Sequence, residues 1–120
     1  MSFIWRKMKN KITITTDSET VSRIATISDN TISYTEAPGT KVVMHVKDDA
    51  LEISKTGLIK MNILHKVDYS FEIDYQINLN GNEFFGKVEI KTKSLSITDK
   101  LIELKFEREG EMVFQKWEIE

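Results

Sequence analysis

The chain has 120 residues, the size of one domain. It has no cysteine, which excludes disulfides, thiolate catalysis, iron–sulfur ligation and cysteine zinc sites. A net charge of −2 supplies no global field toward nucleic acid or a membrane surface. Fifteen Ile, seven Val and eleven Thr stand against three Ala, and β-branched residues favour strand over helix.

The chain begins with Phe3, Ile4 and Trp5, followed at once by Arg6 and Lys7. A secretory signal has the opposite order, basic then apolar. No apolar run reaches the ~18 residues of a membrane span. The expected setting is the cytoplasm, with no membrane partner. Residues 1–11 carry Arg6, Lys7, Lys9 and Lys11 without an acid, whereas residues 107–120 carry five Glu against Arg108 and Lys116. Four cations are a thin footprint for a nucleic acid, and none is expected as a partner.

Strands are expected over 11–16, 20–28, 31–36, 41–47 and 51–55. Within the second, Arg23 shares its parity with Val21, Ala25 and Ile27. That parity puts a guanidinium either inward, where it needs a carboxylate from the protein or from a ligand, or at a strand end where it snorkels to water or a bulge turns it outward. In the fourth, His45 lies opposite the drier row of Val42, Met44 and Val46 and reads as surface.

The clearest pattern runs from 58 to 79. Every odd position from Ile59 to Leu79 is apolar or aromatic except His65, and only Leu58 and Leu64 break the polar even row. A period of two over this length means strand with one dry face. One straight strand of that length would span roughly 70 Å, so it folds back. A three-residue loop at Lys66-Val67-Asp68 is expected, pairing Ile63 with Phe71 and Met61 with Ile73. His65 then sits beside the turn at the barrel's end, close to Tyr69. Its charge can change near neutral pH, so it is a general base, a ligand contact or a rim residue capping the core.

Asn80-Gly81 is a strong hairpin signal. A two-residue loop there pairs Ile77 with Phe84, Tyr75 with Gly86, Ile73 with Val88 and Phe71 with Ile90. A three-residue loop would set Tyr75 against Lys87, so the register excludes it. The same segment, Gly81 to Val88, spells a phosphate-binding loop except at its last position. There Val88 replaces the hydroxyl that would hold magnesium, and a hairpin offers no helix N-terminus. Further strands are expected over 95–98, 101–108 and 111–119. In the last hairpin Ile102, Leu104 and Phe106 oppose Trp117, Gln115 and Val113 around Glu109-Gly110. Gln115 is a second polar break in a dry row.

A chain of short strands joined by tight turns, dry on one face, closes most simply into a single-domain antiparallel up-and-down barrel of about 8–10 strands. Closure would bring the basic start beside the acidic end.

The stretch Lys55-Thr56-Gly57-Leu58-Ile59-Lys60-Met61-Asn62 and the run Thr92-Lys93-Ser94-Leu95 resemble the YwiB-like family of small bacterial proteins. The resemblance implies a calycin-like (lipocalin-like) β-barrel and no established activity.

No nucleophile–base pair, cofactor fingerprint or metal-ligand spacing stands out, so no catalytic residue, cofactor or metal is expected. The residues themselves suggest a barrel binding a small apolar or acidic ligand, oriented by Arg23, His65 and Gln115 among Tyr69, Tyr75 and Trp117. The alternative is a filled barrel that assembles with a partner or as a homodimer, through outward residues such as Leu64, Phe85 and Phe114.

Overall fold

The computed structural model describes residues 8–36 and 39–120; the basic start with Phe3, Trp5, Arg6 and Lys7 lies outside them, as does Pro38. The described residues form ten strands: β1 (Met8–Thr16), β2 (Thr20–Ser28), β3 (Thr31–Glu36), β4 (Thr40–Val46), β5 (Ala50–Gly57), β6 (Ile59–Lys66), β7 (Ser70–Leu79), β8 (Asn82–Ile97), β9 (Leu101–Arg108) and β10 (Glu111–Ile119). Each pairs antiparallel with its sequence neighbour, and β1 pairs with β10, so the meander closes into a barrel. Closure joins the two chain ends: Lys11 Nζ lies 3.8 Å from Glu120, and the Asn10 amide donates to the Glu120 carbonyl.

Local chemistry sets the turns. Asp29-Asn30, Asn80-Gly81 and Glu109-Gly110 all hold positive φ at both positions, the two-residue geometry that matches strand twist. The registers expected at the last two hold. Tyr75 faces Gly86, Ile73 faces Val88, and Trp117 faces Ile102.

Two expectations change. The segment pairing after the Asn80-Gly81 turn and the strand expected at 95–98 are one strand, β8. A bulge between Thr92 and Ser94 shifts the inward row from Val88, Ile90 and Thr92 to Leu95 and Ile97. The β6–β7 register also differs from the one expected. Met61 faces Tyr75 and Ile59 faces Ile77, two residues away from the expected pairing. A slip of two leaves every side chain on its own face, so alternation cannot distinguish the two registers. The β6–β7 ladder stops after three pairs. Beyond it, the far end of β8 closes the wall: Asp68 N donates to Thr92 O, and Thr92 N donates to Tyr69 O.

The inward rows divide the barrel in two. At the end holding the chain termini, Ile27, Ile32, Met44, Leu51, Ile102 and Leu104 are completely buried, with Trp117 and Ile119 packed among them. At the opposite end lie the β1–β2, β5–β6, β7–β8 and β9–β10 turns. There the inward rows finish on Arg23, Glu36, Lys55, Phe84 and Arg108.

Candidate ligand-binding site

A cavity of about 460 Å³ enters the barrel from the turn end. That volume falls within the range of small-molecule pockets, roughly 300–1,000 Å³. Its apolar wall comes from the inward rows of β5 to β9: Ile53, Ile59, Met61, Ile63, Ile77, Val88, Ile90 and Phe106. Its polar lining is His65, Tyr75, Gln115, Lys55, Arg108 and Glu109. Of the six residues expected from sequence to meet a ligand, the structure gathers His65, Tyr75 and Gln115 here.

Tyr75 owes its place to Gly86. The ring lies across the glycine on the facing strand, and a Cβ at that position would fall inside the ring. Gly86 therefore lets an aromatic lie along the inner wall.

His65 is not a rim residue. It is 1% exposed and sits at the inner end of the cavity, with its ring 5.0 Å from Phe106. Its Nδ1 is 3.1 Å from Thr92 Oγ1. Burial pushes its pKa down to about 4, so the imidazole is neutral near neutral pH. Tyr69 does not line the cavity with it, because Tyr69 falls in the turn beyond the last β6–β7 rung. It is 51% exposed, stacks on Phe71 at 6.2 Å, and carries Lys66 Nζ 4.9 Å above its ring.

Trp117 and Arg23 also lie off the cavity lining. Trp117 turns its indole toward β3 and donates Nε1–H to Tyr34 Oη at 3.1 Å. Burial pushes Tyr34 up to about 12, so that pair is a neutral core contact. Arg23 does take the inward row, facing Ile12 across the β1–β2 ladder. It lines a separate recess of about 180 Å³ with Glu19 and Glu36, near the turn end. Its guanidinium donates to the Ser22 carbonyl at 3.3 Å.

Sequence reading missed Lys55, Arg108 and Thr92. The signal was present, since each ends or continues an apolar alternate row: Leu51-x-Ile53-x-Lys55, Leu104-x-Phe106-x-Arg108 and Val88-x-Ile90-x-Thr92. Lys55 is paired, with its ammonium 3.1 Å and 3.4 Å from the two Glu36 oxygens. Arg108 forms no ion pair among the described residues, which leaves its charge available at the mouth. The segment Lys55 to Met61 spans the β5–β6 turn and places Lys55, Ile59 and Met61 on the lining. Gly57 makes that turn with φ of 112°, packed so closely on the Gly39 carbonyl that no side chain fits.

The outward residues are scattered. Phe85 is 72% exposed on β8, while Leu64 on β6 and Phe114 on β10 are half-buried. No group of three or more potential metal ligands occurs among the described residues.

No family model and no curated protein matches the chain by sequence. Its fold is similar to the crystal structure of the ywiB protein from Bacillus subtilis. The match has a TM-score of 0.58 at 15% identity and covers 93% of this chain and 89% of that one. At that identity the likeness is one of fold, and it agrees with the barrel that the resemblance implied.

Proposed function

We propose that the barrel binds a small amphipathic molecule, with its apolar body inside and its acidic end at the mouth. The observation that carries this reading is the cavity itself. It is open at one end, walled by aliphatic side chains, and carries the charged groups of Lys55 and Arg108 near its entrance. An apolar body gains roughly 25 cal/mol for each Å² removed from water, and this wall offers that burial without rearrangement. A carboxylate at the mouth would meet Arg108, whose fork of donors has no acid partner among the described residues. Lys55 is held by Glu36 and adds less. The reading requires no catalytic group.

Two measurements test it together. Native mass spectrometry of gently purified protein is expected to show retained small-molecule mass. A fluorescent medium-chain carboxylate is expected to bind and to be displaced by its non-fluorescent parent. A bare native mass combined with no probe binding at millimolar concentration would end the proposal.

A further inference from the structure

The inner end of the cavity carries a polar group whose hydrogen bonding is half complete. His65 is 1% exposed, and its Nδ1 is bonded to Thr92 Oγ1. Its Nε2 has no partner among the described residues. Nor is it among the side-chain atoms sealed away without a partner, a set whose sole described member is Asn30 Oδ1. The space Nε2 faces is therefore the cavity that His65 lines.

The Thr92 contact bears on which ring nitrogen carries the proton. Thr92 is also buried, and its Oγ1 has no other bonded partner among the described residues. With the hydroxyl donating, Nδ1 is its acceptor. A neutral imidazole accepting at Nδ1 carries its single hydrogen on Nε2. Desolvation keeps the ring neutral, which preserves this arrangement. Leaving a buried donor unpaired costs free energy, and an incoming acceptor removes that cost.

We infer that His65 Nε2–H recognises a hydrogen-bond acceptor at the buried end of the ligand, so the preferred ligand is an acid whose apolar body ends in a carbonyl or ether oxygen. This rests on the proposed binding of an amphipathic acid and narrows its chemistry. A molecule with a plain hydrocarbon tail fills the same cavity but leaves Nε2–H without a partner. Discrimination by one neutral hydrogen bond corresponds to roughly 2- to 12-fold in affinity.

The experiment compares short- and medium-chain straight carboxylates with the same chains ending in a methyl ketone. Titration calorimetry is run on the wild type and on His65→Phe. At the best-fitting length, the wild type is expected to prefer the ketone by that roughly 2- to 12-fold ratio. In His65→Phe the ratio is expected to fall to about one, since the ring shape stays and the donor goes. Equal affinities in the wild type, or a preference that survives in His65→Phe, overturn the inference while leaving acid binding intact. If neither series binds, the broader proposal fails instead. A second readout needs neither ligand nor variant. Long-range proton–nitrogen correlation spectra of the wild type should show His65 as the Nε2–H tautomer, and the Nδ1–H tautomer would refute the assignment.

Discussion

Acidification should act on this fold through one buried imidazole. In the unfolded chain His65 titrates at the ordinary 6.5, and in the folded protein burial lowers this to about 4. The unfolded state then binds a proton that the folded state refuses, so stability falls as pH drops. The contribution is fully present above about pH 6.5 and is lost progressively down to about pH 4. The whole shift corresponds to about 3 kcal/mol, and most of it has gone by pH 4.5. Against a total stability of roughly 5–15 kcal/mol, that loss is large. The assay is urea unfolding at several pH values between about 7 and 4.5, on the wild type and on His65→Phe. The variant leaves the Thr92 hydroxyl unpaired, a penalty of about 1–3 kcal/mol that does not depend on pH. The carboxylates are common to both proteins, so their titration cancels in the difference. The wild-type curve should therefore fall more steeply, and the two should converge or cross toward pH 4.5. Curves that stay parallel to within about 0.5 kcal/mol would mean that the imidazole charges without penalty, and the burial argument would be wrong.

Gly86→Ala is expected to push the Tyr75 ring into the cavity. It should cost about 1–3 kcal/mol in thermal or urea unfolding and weaken binding of the carboxylate probe; unchanged binding would place the ligand away from Tyr75. Arg108→Gln should lower affinity for plain carboxylates by about two- to five-fold, the range of an exposed ion pair. Its effect on stability should stay under about 0.5 kcal/mol, and equal affinities by calorimetry would remove the anionic end from the reading. In hydrogen exchange, the amides of residues 62–66 and 70–74 that point across the β6–β7 gap should exchange faster than those in the continuous β7–β8 ladder. Uniform protection along both strands would show that the gap closes in solution.

The sequence carried the faces of this barrel more firmly than its registers. Alternation put Ile63, Ile73, Val88, Ile90 and Leu104 on the inward row, and all are buried. It fixed register only where a turn residue added a second constraint. Asn80-Gly81 and Glu109-Gly110 need positive φ at both positions, which ties their strands to one pairing. The turn at Lys66 to Asp68 has no such signature. A two-residue slip there conserved every face, so the pattern was blind to it. The same slip lengthens the turn, so Tyr69 falls within it instead of on a strand and is exposed. Parity left open whether Arg23 points inward, and it could not say which of two recesses the residue joins, because that depends on barrel shear. The buried partnership of His65 with Thr92 was invisible for a related reason. It crosses from β6 to β8, two strands that are not neighbours in the meander.

The opening at one end follows from strand number and side-chain volume together. Barrel diameter grows with strand count, and about eight strands already enclose as much as side chains can fill. Ten strands enclose more, so the interior is filled only where every inward position is large. Large side chains dominate at the end where β1 begins and β10 finishes, where Ile, Leu, Met and Trp occupy most inward positions. The condition fails toward the turn end. There Gly86 contributes no side chain to the wall, and Lys55 and Arg108 direct charged groups that need water or a counter-ion. Charged groups at the mouth keep that end hydrated, while the aliphatic wall beneath them favours an apolar occupant. A cavity apolar in depth and charged at its entrance is thereby matched to a molecule divided in the same way. The buried His65 donor adds a third requirement, set where water competes least and where one hydrogen bond discriminates most.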